Sequence, residues 1–169
     1  MLTKGEFFYN PLDIAMYIIK YCNEKELEIT PLRLQKLLFF VHIELLVFTK
    51  KKSYIEANFY TSNYGVYEKN TLEEYSFGNK NIPLKEYYGK IIFNDEIGNI
   101  EYAKRYLSDV QISDRDILLI NGVIERYSKV STIDMIKKMS KTSILSINKN
   151  KQPLDNEELY KYYSKKIKL

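Results

Sequence analysis

The sequence predicts a mainly α-helical (α+β) fold: a compact helical domain around a central buried helix at about residues 30–48, with a small two- or three-stranded β element. Residues 29–48, ITPLRLQKLLFFVHIELLVF, are apolar around most of a helical circumference. A helix of this kind is normally enclosed by other elements. Several further segments begin with helix-capping residues, whereas only short stretches alternate like strands. We therefore expect mostly helices and few strands.

The first helix is predicted to begin after Asn10. Asn10 can act as the N-cap, Pro11 fits the first turn, and Asp13 stands where a capping-box acid belongs. The apolar residues that follow at helical spacing, on one face, are Ile14, Ala15, Ile18, Ile19 and Cys22. We expect this helix to end near Asn23.

The second, central helix is preceded by the same kind of signal, Thr30-Pro31. Its main apolar stripe and the residues that widen it are Leu34, Leu37, Leu38, Phe39, Phe40, Val41, Leu45, Leu46 and Phe48. Residues 50–53, which are polar, should end the helix and form a loop. Little of the helix surface is left for solvent, so we expect it to lie in the middle of the fold.

The middle of the chain predicts short elements joined by turns. Residues 55–59 alternate apolar and polar side chains, which indicates a short strand, and residues 63–65 indicate a turn. Residues 66–75 are expected to form a short helix. The polar stretch at 76–83 is typical of turns, and the apolar run at 91–93 predicts a second strand or an edge segment.

Three more helices are predicted in the last third of the chain. Ser113 caps a helix that extends to Tyr127, Ser131 caps the next, and Asp155 caps the final one. The side chains expected to face the core in the last two helices are Ile133, Ile136, Met139, Leu159, Tyr162 and Tyr163. Since the sequence has no internal repeat and no long linker, we expect residues 1–169 to form a single domain.

Length and charge narrow the class of protein. A chain of 169 residues with 45% apolar content can bury a sizeable core. The net charge of +4 is weakly basic, and only Lys50–Lys52 and the tail from Lys161 to Lys168 concentrate lysine. Dedicated duplex-DNA binders have a stronger, clustered excess. We interpret both segments as a solvated loop and a helix end, with a weak anion-contact surface as the alternative.

The single cysteine and the absence of long apolar runs bear on localisation. Cys22 cannot form an intrachain disulfide, so the fold does not depend on an oxidising compartment. The first residues, MLTKGEFFYNPLD, lack the apolar run of a signal peptide. No segment offers the about 20 uninterrupted apolar residues of a membrane span. We therefore expect a cytoplasmic protein without membrane contact.

Patterns that would indicate catalysis are weak. His42-Ile43-Glu44 has the H-x-E spacing of zinc deaminases, but that chemistry needs further thiolate ligands and the chain has only Cys22. Cys22 follows isoleucines on an apolar face, where a thiol is usually inert, so a nucleophile–base pair with His42 is not favoured. His42 is expected to pack at the edge of the core. We expect no catalytic residue, no metal and no cofactor, and an uncharacterised enzyme is the least favoured hypothesis.

Neighbouring carboxylates are expected to cap helices or to be solvated rather than to form a catalytic pair. These groups are Glu73-Glu74, Asp95-Glu96, Asp114 with Asp116, and Glu157-Glu158. No glycine-rich phosphate-binding loop is present in the sequence.

Residues 113–141 have the layout of a helix-turn-helix. The second helix offers Lys137, Lys138 and Lys141, but no arginine, asparagine or glutamine that could contact base edges. Phosphate contacts through these lysines or through the lysine tail remain open. A nucleic-acid-binding regulator is therefore the alternative hypothesis for function.

Two segments resemble a known family. Asp13-Ile14-Ala15 on the first helix and Ile29–Phe39 on the second, ITPLRLQKLLF, resemble the Panacea domain of SocA-like and GepA-like proteins. The family's second helix ends in LQKLLY, and here Phe39 stands in place of the tyrosine. A YGPV-type turn and a short helix follow in the family, and Tyr64-Gly65 and residues 67–75 lie where these are expected.

The resemblance extends to the late segment Leu118–Ile144 and shows two departures in the turn. Val66 replaces the turn's proline, and Ser62 stands near the place of an aromatic residue, often tryptophan. The residues that match the family signature, and that we expect to be structural, are Leu34, Gln35, Lys36, Leu37, Leu38 and Phe39.

Membership in this family would imply a bacterial protein associated with a prophage or another mobile genetic element. Members of the family act as antitoxins that neutralise varied toxins by direct protein contact. At least one branch acts as an adaptor that delivers its toxin to an ATP-dependent protease. The resemblance thus implies a protein-binding module whose partner is a toxin and, for an adaptor, protease machinery.

Gln35 and Lys36 are the polar members of the signature. In one interpretation they are the helix's exit to solvent, with the lysine stem over apolar neighbours. In the other, Gln35 satisfies buried backbone groups near the turn at Gly65, and we favour this structural role over contact with a partner.

Tyrosines cluster around the same turn. Tyrosine is enriched at interfaces because its ring buries area while its hydroxyl stays hydrated. The residues predicted to contact a partner are Tyr60, Tyr64, Gly65, Tyr67, Lys69 and Tyr75. Ordinary half-buried packing in a tyrosine-rich chain is the alternative interpretation.

Overall fold

The structure, a computed structural model, describes residues 5–76, 78, 80–94, 98–145 and 152–167. Within these ranges no helix combines the length and the apolar character that crossing a membrane would require.

Six α-helices lie in the described part of the chain, in agreement with the predicted mainly helical α+β class. They are α1 (Pro11–Glu24), α2 (Pro31–Phe48), α3 (Lys69–Glu74), α4 (Asp114–Tyr127), α5 (Thr132–Ser140) and α6 (Asn156–Ser164). Two short 3-10 turns lie at Leu107–Asp109 and Ser143–Leu145. The N-caps predicted from local sequence are confirmed for Asn10, Thr30, Ser113, Ser131 and Asp155, whose side chains accept backbone hydrogen bonds.

α2 is the centre of the fold, as predicted. All its residues are buried except Leu32 and Phe48. α1, α4, α5 and α6 pack around it, together with two strands. The enclosure follows from the sequence, because a helix without a polar face is stable only when every side is covered.

Over the residues that the structure describes, six strands form three separate two-stranded sheets. The strands are β1 (Phe7–Tyr9), β2 (Ser53–Ile55), β3 (Phe59–Ser62), β4 (Gly65–Glu68), β5 (Tyr87–Asn94) and β6 (Asn99–Tyr106). β1 and β2 are parallel, and the other two pairs are antiparallel hairpins. The prediction of one small β element underestimated this number. β2 and β4 pack against α2 while β5 packs against α1, so the pairs lie apart.

The single strand predicted over residues 55–59 is wrong. β2 ends at Ile55 and β3 begins at Phe59, with a tight turn between them in which Ala57 N donates to Ile55 O at 2.9 Å. Glu56 N donates instead to Tyr9 O at 2.8 Å, which extends the pairing with β1. The alternating pattern thus continues across a bend, and periodicity alone does not reveal the bend.

The helix predicted over residues 66–75 begins at Lys69 in the structure, three residues later than predicted. Val66 to Glu68 belong to β4, because the Gly65 turn folds them back onto β3. Glu68 then caps α3 by accepting hydrogen bonds from the backbone of Asn70 and Thr71 at 3.1 and 2.8 Å. In residues 76–83 the described positions contain no helix or strand, as expected of turns.

The buried face of α5 differs from the prediction. Met135 and Met139 are buried, Ile136 is half-buried, and Ile133 is 64% exposed. Met135 and Met139 are one helical turn apart, so they share the face toward α2, whereas Ile133 points away. In α6, Leu159 is buried, while Tyr162 and Tyr163 are only partly covered.

The edge segment predicted at residues 91–93 is part of β5. This strand pairs with β6 in an antiparallel hairpin whose strands have eight residues each. β6 was not predicted. Its signal was present in the alternation of large Ile100 and Tyr102 with charged Glu101, and of Arg105 with Tyr106. The carboxylate pair Asp95-Glu96 lies outside the described residues.

Candidate functional site

The β3–β4 hairpin presents one face to the core and one to the outside. Phe59 and Val66 are 1% and 0% exposed and pack inward. Tyr60 and Tyr67 lie directly opposite each other on the outer face, with ring centroids 5.8 Å apart. Tyr64, at the tip, is 69% exposed. The hairpin therefore displays three tyrosines beside the turn.

The predicted turn is confirmed, and its chemistry is specific. Ser62 Oγ donates to Gly65 O at 2.9 Å and accepts from Tyr64 N at 3.1 Å. Gly65 has a φ of +82°, which side chains disfavour. A Cβ added there would also lie 2.9 Å from Met139 Sδ. Ser62 thus closes the turn through its hydroxyl group.

Gln35 joins the central helix to the end of β4. It is 1% exposed, so the interpretation of this residue as an exit to solvent is wrong. Its Oε1 accepts from Glu68 N at 2.8 Å, and its Nε2 donates to Thr71 Oγ1 at 3.1 Å. The side chain therefore satisfies a buried backbone group just after the Gly65 hairpin.

Lys36 makes the second link between α2 and the hairpin. It is 1% exposed, and its Nζ donates to Val66 O at 2.8 Å. The interpretation in which the Lys36 amine exits to solvent is therefore wrong. Gly65 leaves room for it, since a Cβ at Gly65 would lie 3.2 Å from Lys36 Nζ. Burial lowers the pKa of this amine to about 8.

The apolar signature residues all belong to the core. Leu34, Leu37, Leu38 and Phe39 are at most 1% exposed. The Phe39 ring meets the Phe59 ring edge-on, with centroids 5.5 Å apart. The signature thus covers the inner face of the β3–β4 hairpin and holds it in position.

The predicted partner residues fall into two groups. Tyr64 and Lys69 are exposed, and Tyr60, Gly65 and Tyr67 are half-buried along the same hairpin and its exit. These five lie together on the surface, and their role in partner binding stays a prediction. The sixth, Tyr75, is 6% exposed and packs in the core, so its assignment to the partner surface is wrong.

Tyr75 is buried because it follows the last residue of α3, where the chain turns inward toward α1. Burial raises the pKa of its hydroxyl. Tyr75 lies close to the other tyrosines along the chain, but proximity in sequence does not report the direction of a side chain.

His42 lies fully in the core rather than at its edge. Its Nδ1 accepts from Ile55 N at 3.2 Å, which leaves the ring proton on Nε2, 3.0 Å from Asn156 Oδ1. Burial lowers the pKa of the imidazole to about 4. The histidine therefore stays neutral at physiological pH and ties β2 to α6.

The other residues considered for catalysis also have structural contacts. Cys22 is 1% exposed, and burial raises the pKa of its thiol to about 11, so the thiol stays protonated. Glu44 accepts two hydrogen bonds from Arg126, at 2.8 and 3.1 Å. The described residues contain no group of three or more His, Cys, Asp and Glu side chains arranged to hold a metal.

Asp116 departs from the expectation that neighbouring carboxylates are solvated or cap helices. It is fully buried and accepts hydrogen bonds from Tyr9 OH at 2.6 Å and from Arg115 Nε at 2.7 Å. Arg115 also donates to Ser53 Oγ at 2.6 Å. This network joins the start of α4 to the β1–β2 sheet.

The lysines of α5 do not form an open row. Lys138 Nζ donates to Tyr127 OH at 3.0 Å and lies 5.7 Å from the centre of the Phe40 ring. Lys137 lies 3.7 Å from Asp134. Two of the lysines proposed for phosphate contact therefore have partners within the protein.

Both lysine-rich segments have contacts within the protein. Lys51 Nζ lies 2.8 Å from Glu157 Oε1 in α6, and Lys166 donates to the hydroxyl of Tyr162. Lys168 lies outside the described residues.

The comparison with protein families gives one match. The family described as Antitoxin SocA-like, Panacea domain matches residues 34–144. The match begins at the first residue of the α2 signature and includes the β3–β4 hairpin, the β5–β6 hairpin, α4 and α5. Searches of curated proteins and of solved structures found no match. The chain belongs to the SocA-like antitoxin family that is defined by the Panacea domain.

Proposed function

We propose that this protein is an antitoxin-type binding module that neutralises a toxin by direct protein contact. The observation that carries the proposal is the family match over residues 34–144. The burial of His42 and Cys22 supports action by association rather than by catalysis, without a metal or cofactor. The toxin would be encoded beside it on a prophage or another mobile element, and the pair would act in the bacterial cytoplasm.

The outer face of the β3–β4 hairpin supports a contact role. Tyr60, Tyr64 and Tyr67 offer ring surface and hydroxyl groups at one place, with Lys69 at the rim. Two hydrogen bonds from α2, through Gln35 and through the Lys36 amine, anchor β4 of this hairpin. A preorganised surface loses little conformational entropy when it binds.

The proposal is tested by co-expression with the product of the adjacent reading frame. That product should arrest growth alone, and the wild-type protein should restore growth and form a complex in pull-down. The proposal is overturned if no neighbouring product is toxic, or if toxicity is unaffected and no complex forms. We expect Tyr64→Asp to weaken rescue. Leu118→Asp is the control, since Leu118 is 73% exposed on α4.

Neutralisation by occlusion and by delivery to a protease make different predictions. With occlusion, the half-life of the toxin in cells does not fall when this protein is present. With delivery, the half-life falls, and deletion of the ATP-dependent proteases restores it while abolishing rescue. We favour occlusion, because association requires only the surface described above.

A further inference from the structure

The β5–β6 hairpin turns two polar side chains toward α1 and large apolar side chains outward. Residues directly opposite in an antiparallel pair share a face, so Tyr88 and Arg105 lie together toward α1. The opposite face, which we call the outer face, contains Tyr87, Gly89, Ile91, Ile100, Tyr102, Lys104 and Tyr106. Large apolar side chains thus face solvent here, whereas a sheet that covers a core normally turns them inward.

Contacts with Asp13 fix this orientation. Arg105 donates to both carboxylate oxygens of Asp13, at 3.2 and 2.9 Å, and Tyr88 OH donates to Oδ1 at 3.0 Å. Tyr88 is 4% exposed. Turning the hairpin over would break these charge-assisted bonds, so its apolar face is held toward solvent.

Three large apolar side chains of the outer face are strongly exposed. Ile91 and Ile100 are each 72% exposed, and Tyr102 is 63% exposed. The Tyr102 ring lies across Gly89, where an added Cβ would overlap it. Exposed apolar residues are ordinary when scattered, but a contiguous group of them marks an interaction site.

An acidic cleft adjoins the outer face. Its volume is about 610 Å³, and Gly89 and Ile91 line it on the side of β5. Glu56, Glu73 and Glu74 line its other walls. Glu73 Oε1 is 3.8 Å from Nζ of the exposed Lys69. This concentration of negative charge, in a chain of net charge +4, favours a cationic occupant.

The cleft also connects the outer face to the candidate surface on the β3–β4 hairpin. Asn70 and Glu73 of α3 line the cleft, and α3 begins at Lys69, the last residue of that surface. A partner seated on the three tyrosines could therefore extend across α3 onto β5.

We propose that the outer face and the acidic cleft together bind a segment of the partner toxin in which apolar side chains stand beside lysine or arginine. This inference rests on the proposed function and names the second half of its contact surface. The apolar side chains cover Ile91, Ile100 and Tyr102, and the cation enters the cleft beside Glu56 and Glu74.

Two other occupants fit less well. An eight-residue strand is about 27 Å long, and two paired strands are about 10 Å wide, so the face measures roughly 270 Å². A stable dimer buries about 800 Å² per partner. A second copy of the chain would also carry the same acidic cleft, with charge of the same sign. An anionic membrane would be repelled by the three glutamates that border the face.

The apolar half is tested with Ile91→Asp against Leu118→Asp, because these residues are 72% and 73% exposed. Binding of the adjacent-gene toxin is measured by calorimetry, and retained folding by thermal unfolding. We expect Ile91→Asp to weaken binding at least thirtyfold and Leu118→Asp less than threefold. Equal affinities of wild type and Ile91→Asp overturn this inference and leave the proposed function standing. A wild type that binds no toxin overturns both.

The charged half is tested with the double variant Glu56→Gln and Glu74→Gln, against Glu28→Gln at an exposed loop position. We expect affinity for the toxin to fall about tenfold at low salt, and its salt dependence to flatten. An unchanged salt dependence overturns the proposed cation. A dimer in solution that Ile91→Asp dissolves, or binding of wild type to phosphatidylglycerol vesicles, also overturns the inference in favour of those occupants.

Discussion

The Nζ of Lys36 lies 2.8 Å from the carbonyl oxygen of Val66, in a side chain that is only 1% exposed. A buried ammonium group loses most of its hydration, and one carbonyl replaces only part of it. The contact therefore links α2 to β4, and the free-energy cost of burying the amine depends on its protonation state.

Stability should rise with pH because of Lys36. Its pKa is about 8 in the folded protein and 10.5 as the ordinary value. Between these values the unfolded chain binds more protons, so the free energy of unfolding increases with pH, by up to about 3 kcal/mol over the whole window. Urea unfolding at pH 7 to about 9.5 should show this rise in wild type relative to Lys36→Met. Parallel profiles for the two proteins would contradict the prediction, and Lys141→Met, at an exposed position, is the control.

Gly65 should tolerate alanine poorly, for two reasons that can be separated. Its φ of +82° disfavours a side chain, and a Cβ would lie 2.9 Å from Met139 Sδ. We expect Gly65→Ala to lower the free energy of unfolding by about 2–4 kcal/mol. Gly78 has a φ of +73° with nothing within 4 Å of an added Cβ, so Gly78→Ala should cost only about 1 kcal/mol. Equal losses for the two variants would mean that the contact with Met139 has no effect.

Acid should destabilise the protein through His42. Burial lowers the pKa of its imidazole to about 4, below the ordinary value of 6.5. The unfolded chain therefore takes up a proton first as the pH falls, and stability declines between pH 6.5 and 4, by up to about 3 kcal/mol. His42 is the only histidine, so its ring resonances in NMR report the pKa directly. An NMR titration midpoint near 6.5 in the folded protein would refute this account.

Asp13→Ala should loosen the β5–β6 hairpin without melting the core. It removes the acceptor for Arg105 and Tyr88, for a local loss of about 1–3 kcal/mol. Hydrogen exchange should accelerate in β5 and β6 and stay unchanged in α2. Asp134→Ala is the matched control, because Asp134 is the acidic residue in the first turn of α5, as Asp13 is in α1. Slow exchange in the hairpin of Asp13→Ala would show that other contacts hold it.

Asp13 also illustrates how much of a residue's contacts can be predicted from local sequence. Its position after Asn10 predicted a capping box, yet its carboxylate binds Arg105, which is 92 residues away along the chain. Similarly, Tyr75 and Tyr64 both follow the same buried helix in sequence, but one faces the core and the other solvent. Which partner a polar side chain finds depends on elements that arrive from elsewhere, so spacing along the chain does not predict it.

The sequence alone determined the helices and the central position of α2. Caps such as Asn10 and Thr30 act within one helical turn, and the apolar content of α2 requires burial wherever it lies. Only the tertiary structure decided that Gln35 and the amine of Lys36 turn inward, and that the β5–β6 hairpin exposes Ile91 and Tyr102. These outcomes depend on contacts between segments that are distant in sequence. There, a hydrogen bond to a carbonyl or a carboxylate outweighs the tendency of a side chain to face solvent or the core.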